Sequence, residues 1–504
     1  MTMTQSKTIQ ELTAGMQLIY DGNQLFTVDE QLASEYKAGD KLVFVKGFSE
    51  PVLIPEFATQ LVAEKIQRSK AAFYDLASVS DDQLNHFYDA FSNRLSDDAV
   101  WDRIKEVNND DVKIAKEKGR STTRLIASDK TRANMIAGLL EFRQQDLQRV
   151  SSFDQKYHEG WSVDLIKSPL GVVGFVFEGR PNVIADATGV LKSGNTAIFR
   201  VGQDARQTAN AILEFALYPA LDEAKINRDV IQILNRSERS TAWALFSNPD
   251  LDLAVARGSG TAVRMLGGIA QMAGVPVSLH GTGGAWMMTN ESTDLDRLES
   301  AIVGSLDRKV CNTLNTLCLL KSRVQTDLPV VLRALETSAN SLGTSYKVHV
   351  ESDSMMYIDQ SLREQVVNIE RPNGNQKEQQ FEEISRSELG TEWMWESSPE
   401  IALVVVDNLN EAISLCNDYS PRFVASLVTQ NQLELMTFFN QVNAPFIGNG
   451  MTRWVDGQYA LSSPELGLSN WENGRFLARS AILSGDSVYT TRIKMNQVQA
   501  DLKR

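Results

Sequence analysis

The 504-residue chain has three cysteines and four histidines, and each scarcity closes off a class of protein. Cys311, Cys318 and Cys416 are too few and too unevenly placed for a disulfide framework, so free thiols in a reducing compartment are expected. There is no CxxC pair and no HExxH helix, and the histidines are scattered, so no metal-ligand spacing exists. A GxxxxGK[ST] phosphate loop is missing, and GTGGAW at 281–286 lacks the GxGxxG spacing. No apolar run approaches the roughly 20 residues that cross a bilayer. The leading MTMTQSKTIQEL lacks the apolar segment of a secretory signal. A cytoplasmic protein with no membrane partner is expected. The formal net charge of −14 leaves no basic face for nucleic acid, though a local basic pocket for a phosphate-bearing ligand stays compatible with it.

What is present is an ordinary globular composition, with 42% hydrophobic and 23% charged residues, in a chain too long for one core. Residues 1–60 carry short β-type runs (MQLIYDGNQLFTV, KLVFVKGF) and are expected to form a small β-rich N-terminal appendage. From about residue 55 to 147 apolar residues recur at helical spacing, as in LVAEKIQRSKAAFYDLA. Beyond residue 169 near-continuous apolar runs alternate with amphipathic ones: LGVVGFVFEG, NTAIFRVG, VIQILN, LDLAVARG and PVSLHG read as strands with helices between. A second alternation (LDRLESAIVGSL, IALVVVDN, LNEAISLCNDY, FVASLVTQ, LELMTFFNQV, PFIGNG) follows, and the polar stretch 373–390 between its parts is expected to be a surface loop. The pattern implies two doubly wound parallel-sheet α/β domains, bounded at about 61–279 and 280–448, with 449–504 as a closing segment.

The chemistry-bearing candidate is Cys311 in DRKVCNT, with Arg308 and Lys309 just ahead of it. Nearby cations raise a thiol's ionised fraction, and Asn312 offers an amide N–H toward a developing oxyanion. Cys318 and Cys416 lie in apolar runs and read as core.

Several ordered segments then resemble one family. PLGVVGFVFEGRPNVIADATGVLKSGNTAIFRVGQDA (169–205), LDLAVARGSGTAV, VPVSLHGTGG, KVCNTLNTL, LGTEW, VVVDNLNEAI, MTRWVDG and PELGLS occur here in the order of the γ-glutamyl phosphate reductase branch of the aldehyde dehydrogenase superfamily. The similarity runs from about residue 60 to 480. It implies an aldehyde dehydrogenase-like fold and an NADP-dependent reductase of the glutamate-5-semialdehyde dehydrogenase type. The substrate would be a small-molecule acyl phosphate, γ-glutamyl phosphate or a close relative, in a homo-oligomer. By the same resemblance Cys311 is the nucleophile that holds the acyl group as a thioester, with Asn312 beside it. Hydrolytic relatives have a glutamate base where this chain has SLHGTGG, so reduction is expected over hydrolysis. His280 at that place reads equally as a substrate or cofactor contact and as a hydrogen-bonded strand end.

For NADP(H), the resemblance places Arg200 beside the adenine ribose, where a guanidinium suits a 2′-phosphate. Lys192, Ser193 and Gly194 are expected to make the turn at the adenine pocket. Gly258, Ser259 and Gly260 offer N–H groups to the pyrophosphate, and Glu392 is expected on the nicotinamide ribose. Glu178, Arg180 and Asn182, with Arg453 and Ser469 and more remotely Arg479, are the substrate-binding candidates. ALSSPELGLSNW and FLARSAIL depart from the family's run near the end, and EGRP carries glycine where alanine is usual, so the substrate's tail need not be glutamate's. The first 60 residues lack a family counterpart and are compatible with docking an acyl kinase. A reductase of another activated acyl group, such as an acyl-CoA, and a non-catalytic scaffold of the same fold are the alternatives.

Overall fold

Residues that alternate between continuous apolar strands and one-faced helices can bury both kinds of element only in layers, and the chain does so twice. The computed structural model describes residues 8–502 apart from 121, 123–124, 146–148, 150, 372–373, 473–474 and 477–479. Its chain divides into two units, 1–114 with 123–279 and 484–504, and 115–122 with 280–483. The first 60 residues fall within the first unit, and the segment 449–504 is shared out between the two.

In the first unit the N-terminal residues form two antiparallel hairpins, β1 (Gln17–Tyr20) with β2 (Gln24–Thr27) and β3 (Lys41–Val43) with β4 (Val52–Ile54). Val45, just after β3, is buried at a helix surface where Gly268 has no side chain. The helix Glu56–Leu76 buries Ala58, Val62, Ile66, Ser69, Ala72 and Leu76, a three- and four-residue spacing that makes one face. Ser80 and Gln83 form a capping box at the start of Asp81–Ser96.

Strands β5 (Ser152–His158) and β6 (Trp161–Pro169) were not legible as strands, and with Tyr489–Gln497 they make a three-stranded antiparallel sheet. The main sheet holds β7 (Val172–Phe177), β8 (Thr196–Val201), β9 (Ile231–Ile233), β10 (Leu253–Arg257) and β11 (Val277–His280), in the order β11-β10-β7-β8-β9. Pairings β10–β7, β7–β8 and β8–β9 are parallel. The chain starts at β7 and winds outward both ways, so the topological switch lies between β7 and β10.

The second unit has a seven-stranded sheet, β17-β14-β18-β13-β12-β19-β20. Its strands are β12 (Ala285–Met288), β13 (Leu314–Leu320), β14 (Lys347–Glu351), β17 (Phe381–Ile384), β18 (Glu400–Val406), β19 (Val424–Leu427) and β20 (Phe446–Gly448). The stretch 373–390, expected to be a loop, contributes β16 (Gly374–Gln379), which pairs antiparallel with the preceding β15 (Val366–Arg371), and then β17 itself. Its polarity misleads because β16 is almost wholly exposed and β17 buries only Phe381 and Ile384. Among the described residues no helix is long and apolar enough to cross a membrane.

Asn195 ties the start of the first sheet together. Its Oδ1 accepts from the N–H groups of Leu170 (2.7 Å) and Gly171 (3.0 Å), and its Nδ2 donates to Ser193 Oγ and the Val488 carbonyl. Removing the amide strands buried backbone donors, so Asn195→Ala is expected to lower the free energy of unfolding by about 3 kcal/mol. Urea denaturation reads it; a loss of under about 0.5 kcal/mol would contradict the role.

Candidate active site

Cys311 sits in the tight turn that feeds β13, and the glycine loop between β11 and β12 lies against it. A Cβ on Gly283 would come within 2.5 Å of the Cys311 Cα, so only glycine fits there. The Gly284 N–H donates to the Cys311 carbonyl at 2.7 Å and Ala285 N–H to that of Thr313 at 3.0 Å. The thiol is half-buried, packed on a cluster that includes Phe423, Phe446, Val455 and Leu468. Cys318 and Cys416 are fully buried: desolvation pushes the Cys416 thiol up to about 12 and raises Cys318 as well. Neither is a nucleophile at neutral pH.

These turns lie at the N-terminal edge of the second sheet, just ahead of Ala285 and Leu314. Asn312 is buried there. Its Nδ2 donates to the Val455 carbonyl (2.6 Å), and its Oδ1 accepts from Arg453, whose Nε also donates to Asp307 at 2.6 Å. Two expectations are corrected by this. The Asn312 side-chain amide is engaged inside the chain and does not stand out toward an oxyanion. Arg453 holds Asn312 and Asp307 instead of standing out as a substrate cation.

His280 ends β11 buried, its Nδ1 on the Leu468 carbonyl and its ring edge-on to Phe423. That favours the strand-end reading over a substrate contact. Ser469 is fully buried with its N–H on the Ala481 carbonyl, so it is corrected from substrate contact to packing. Arg479 lies outside the described residues. Glu392 comes to the cysteine turn: its Oε2 accepts from Gly283 N–H at 2.8 Å and its Oε1 lies 3.3 Å from Lys309 Nζ.

The roles of Lys309, Asn315 and Asn470 at this turn escaped sequence reading. Lys309 was legible only as a cation near the thiol. Asn315 and Asn470 gave a weak signal, a polar residue in a buried run. Asn315 Nδ2 donates to Thr391 O (2.8 Å) and its Oδ1 accepts from Trp393 N–H (3.0 Å). Asn470 Nδ2 donates to Thr282 O (3.1 Å), pinning the glycine loop.

In the first unit the strand C-termini carry the polar candidates. Glu178 N–H donates to the Arg257 carbonyl at 3.1 Å, which joins the ends of β7 and β10 at the switch point. Arg180 pairs with Glu178, and Asn182 Nδ2 donates to Asp186 at 2.7 Å. Gly258 and Ser259 follow β10, and Gly260 opens the helix Gly260–Met272. Arg200, near the end of β8, shares its surroundings with Arg206 and Arg239, and burial followed by those two charges pulls its guanidinium below the usual value. The Nε atoms of Arg200 and Arg206 are buried without a hydrogen-bond partner. Two guanidiniums with an unpaired buried Nε, close to the charge of Arg239, fit a phosphate dianion.

Lys192, Ser193 and Gly194 are corrected, because they precede β8 at its opposite end, about 20 Å from Arg200. Lys192 is buried with Nζ on Asn85 Oδ1 (2.9 Å) and Gln145 O (3.0 Å), and Ser193 Oγ bonds the Gly485 carbonyl. They are structural. Among the described residues no group of histidine, cysteine and carboxylate side chains could hold a metal.

No family model matches the chain. It is similar in structure to the gamma-glutamyl phosphate reductase of Thermotoga maritima, with a TM-score of 0.74, 22% identity, and 88% of this chain and 100% of that one covered. An engineered glycolyl-CoA reductase with bound NADP+ has the same fold, with a TM-score of 0.60 at 13% identity, covering 88% of this chain and 98% of that one. The chain has an aldehyde dehydrogenase-like α/β fold. In sequence it resembles the gamma-glutamyl phosphate reductases: the Dictyoglomus thermophilum enzyme is 26% identical over 420 residues, 81% of this chain and 92% of that protein.

Gly283→Ala is expected to cost about 2 kcal/mol of stability through the clash with Cys311. It should also lower turnover by more than tenfold; thermal unfolding and an activity assay read both. A fully active, equally stable variant would remove the close approach as a constraint.

Proposed function

We propose that the protein reduces an acyl phosphate, γ-glutamyl phosphate or a close relative, to the semialdehyde with release of phosphate. The observation that carries this is the single half-buried thiol, Cys311, clamped between a glycine loop and a polar turn while the other two thiols are sealed. The Cys311 thiolate attacks the acyl carbon, the carbon–oxygen bond to phosphate breaks, and phosphate departs with the electron pair. An acyl thioester remains on the chain. Charge then gathers on the acyl oxygen, and the backbone N–H of Asn312, next in the chain after the thiol, would be the donor that receives it. NADPH, when bound, supplies the hydride that takes a thioester to an aldehyde. Collapse of the adduct breaks the carbon–sulfur bond and returns the thiolate.

Arg200, Arg206 and Arg239 would hold the 2′-phosphate, and the Gly258–Ser259 turn with the helix start at Gly260 would hold the pyrophosphate. Among the described residues the acid and the imidazole at the cysteine turn are both engaged: Glu392 is ion-paired, and His280 is on a carbonyl. Water attack on the thioester is therefore unassisted, which suits a reductase. The segments that depart from the family at 460–471 bear on the tail of the substrate.

Cys311→Ser is expected to abolish turnover of γ-glutamyl phosphate, assayed in reverse as phosphate-dependent semialdehyde oxidation, with NADPH affinity within twofold of the parent. Arg200→Ala should weaken NADPH at least tenfold while changing NADH less than threefold, the scale of one lost charge-assisted contact. Residual turnover in the first variant, or equal losses in the second, would overturn the respective assignment.

A further inference from the structure

Lys309 stands two residues ahead of Cys311, yet its side chain is only 4% exposed and its ammonium lies 3.3 Å from Glu392 Oε1. The other oxygen of that carboxylate accepts the N–H of Gly283, whose Cα faces Cys311. Asn315 grips the peptide groups on both sides of Glu392, through Thr391 O and Trp393 N–H. The carboxylate cannot swing away from the thiol without giving up these bonds. Unbalanced, a fixed negative charge there would oppose formation of the thiolate.

We propose that Lys309 is a positioning residue: it holds and neutralises Glu392 beside Cys311, so that the thiol ionises next to a balanced pair. This rests on Cys311 being the nucleophile. The remaining charged groups around the turn are paired or turned elsewhere. Arg453 donates to Asp307 at 2.6 Å, Arg308 lies 3.9 Å from Asp307, and His280 meets the Leu468 carbonyl behind Phe423. These contacts are made to groups other than Lys309 and Glu392, so comparing the single and double variants separates the contribution of this pair.

The rate of iodoacetamide alkylation at Cys311, located by peptide mass, is measured against pH. The parent is compared with Lys309→Met, Glu392→Gln, the double variant and Lys309→Arg. The midpoint should rise by roughly half to one pH unit in Lys309→Met, fall in Glu392→Gln, and return near the parent in the double variant. Lys309→Arg should stay near the parent value. At pH 7 kcat should drop several-fold in Lys309→Met with KM for the acyl phosphate within twofold. A merely structural role would move both single variants in the same direction. That result, or no movement while Cys311 still reacts, overturns the proposal. If Lys309→Met does not fold, the downward shift in Glu392→Gln decides alone. A parent protein whose Cys311 reacts no faster than a free thiol in unfolded chain, and whose turnover survives its blocking, would instead sink the nucleophile assignment on which the proposal stands.

Discussion

The contact that the cysteine turn depends on is the close approach of Gly283 to Cys311, with no side chain between them. Because Cys311 O receives the Gly284 N–H, two turns that would otherwise be independent become one rigid element. Three charged side chains near the thiol are fastened to them, directly or through one another. Glu392 is bonded to Gly283, Lys309 is bonded to Glu392, and Arg453 is bonded to Asn312. The arrangement places an accessible sulfur among donors and charges whose orientations are fixed before any substrate arrives, and preorganisation of that kind lowers the reorganisation needed as charge develops.

The two units use opposite ends of their sheets. In the first, the candidates for anion binding lie at strand C-termini beside the switch between β7 and β10, as expected of an open parallel sheet. In the second, the thiol precedes β13 and the glycine loop precedes β12, at the N-terminal edge. A cysteine there depends on side chains of the buried strand, above all Asn315, to anchor the loop that carries Glu392. Lys192 shows why strand ends matter for reading a site. It precedes β8 by a few residues and shares a motif with Arg200, but lies at the far end of the strand, sealed against Asn85 and Gln145.

Fold class was legible because near-continuous apolar runs mark buried strands: VVGFVF, AIF, LAVA and IALVVV lie in central strands. Strands such as β5 and β16 were not legible, because exposed faces leave no apolar pattern to read. Of the candidate site, Cys311 was visible by residue type and motif. Arg200 was visible by its place at a strand end. The company each keeps was not. Arg206 and Arg239 join Arg200 only through the turns after β8 and β9, and Glu392 reaches Gly283 from 109 residues away. Arg453 and Ser469 illustrate the converse, since the motif positions were found but the side chains were already engaged or buried.

Every step proposed for the reaction requires that the acyl group of the substrate be carried on Cys311. Incubation with γ-glutamyl phosphate in the absence of NADPH, followed by acid quench and peptide mass spectrometry, tests it directly. One acyl group is expected on the peptide bearing Cys311, discharged as aldehyde when NADPH is added. An acyl group on any other residue, or phosphate release with Cys311 unmodified throughout, would contradict it.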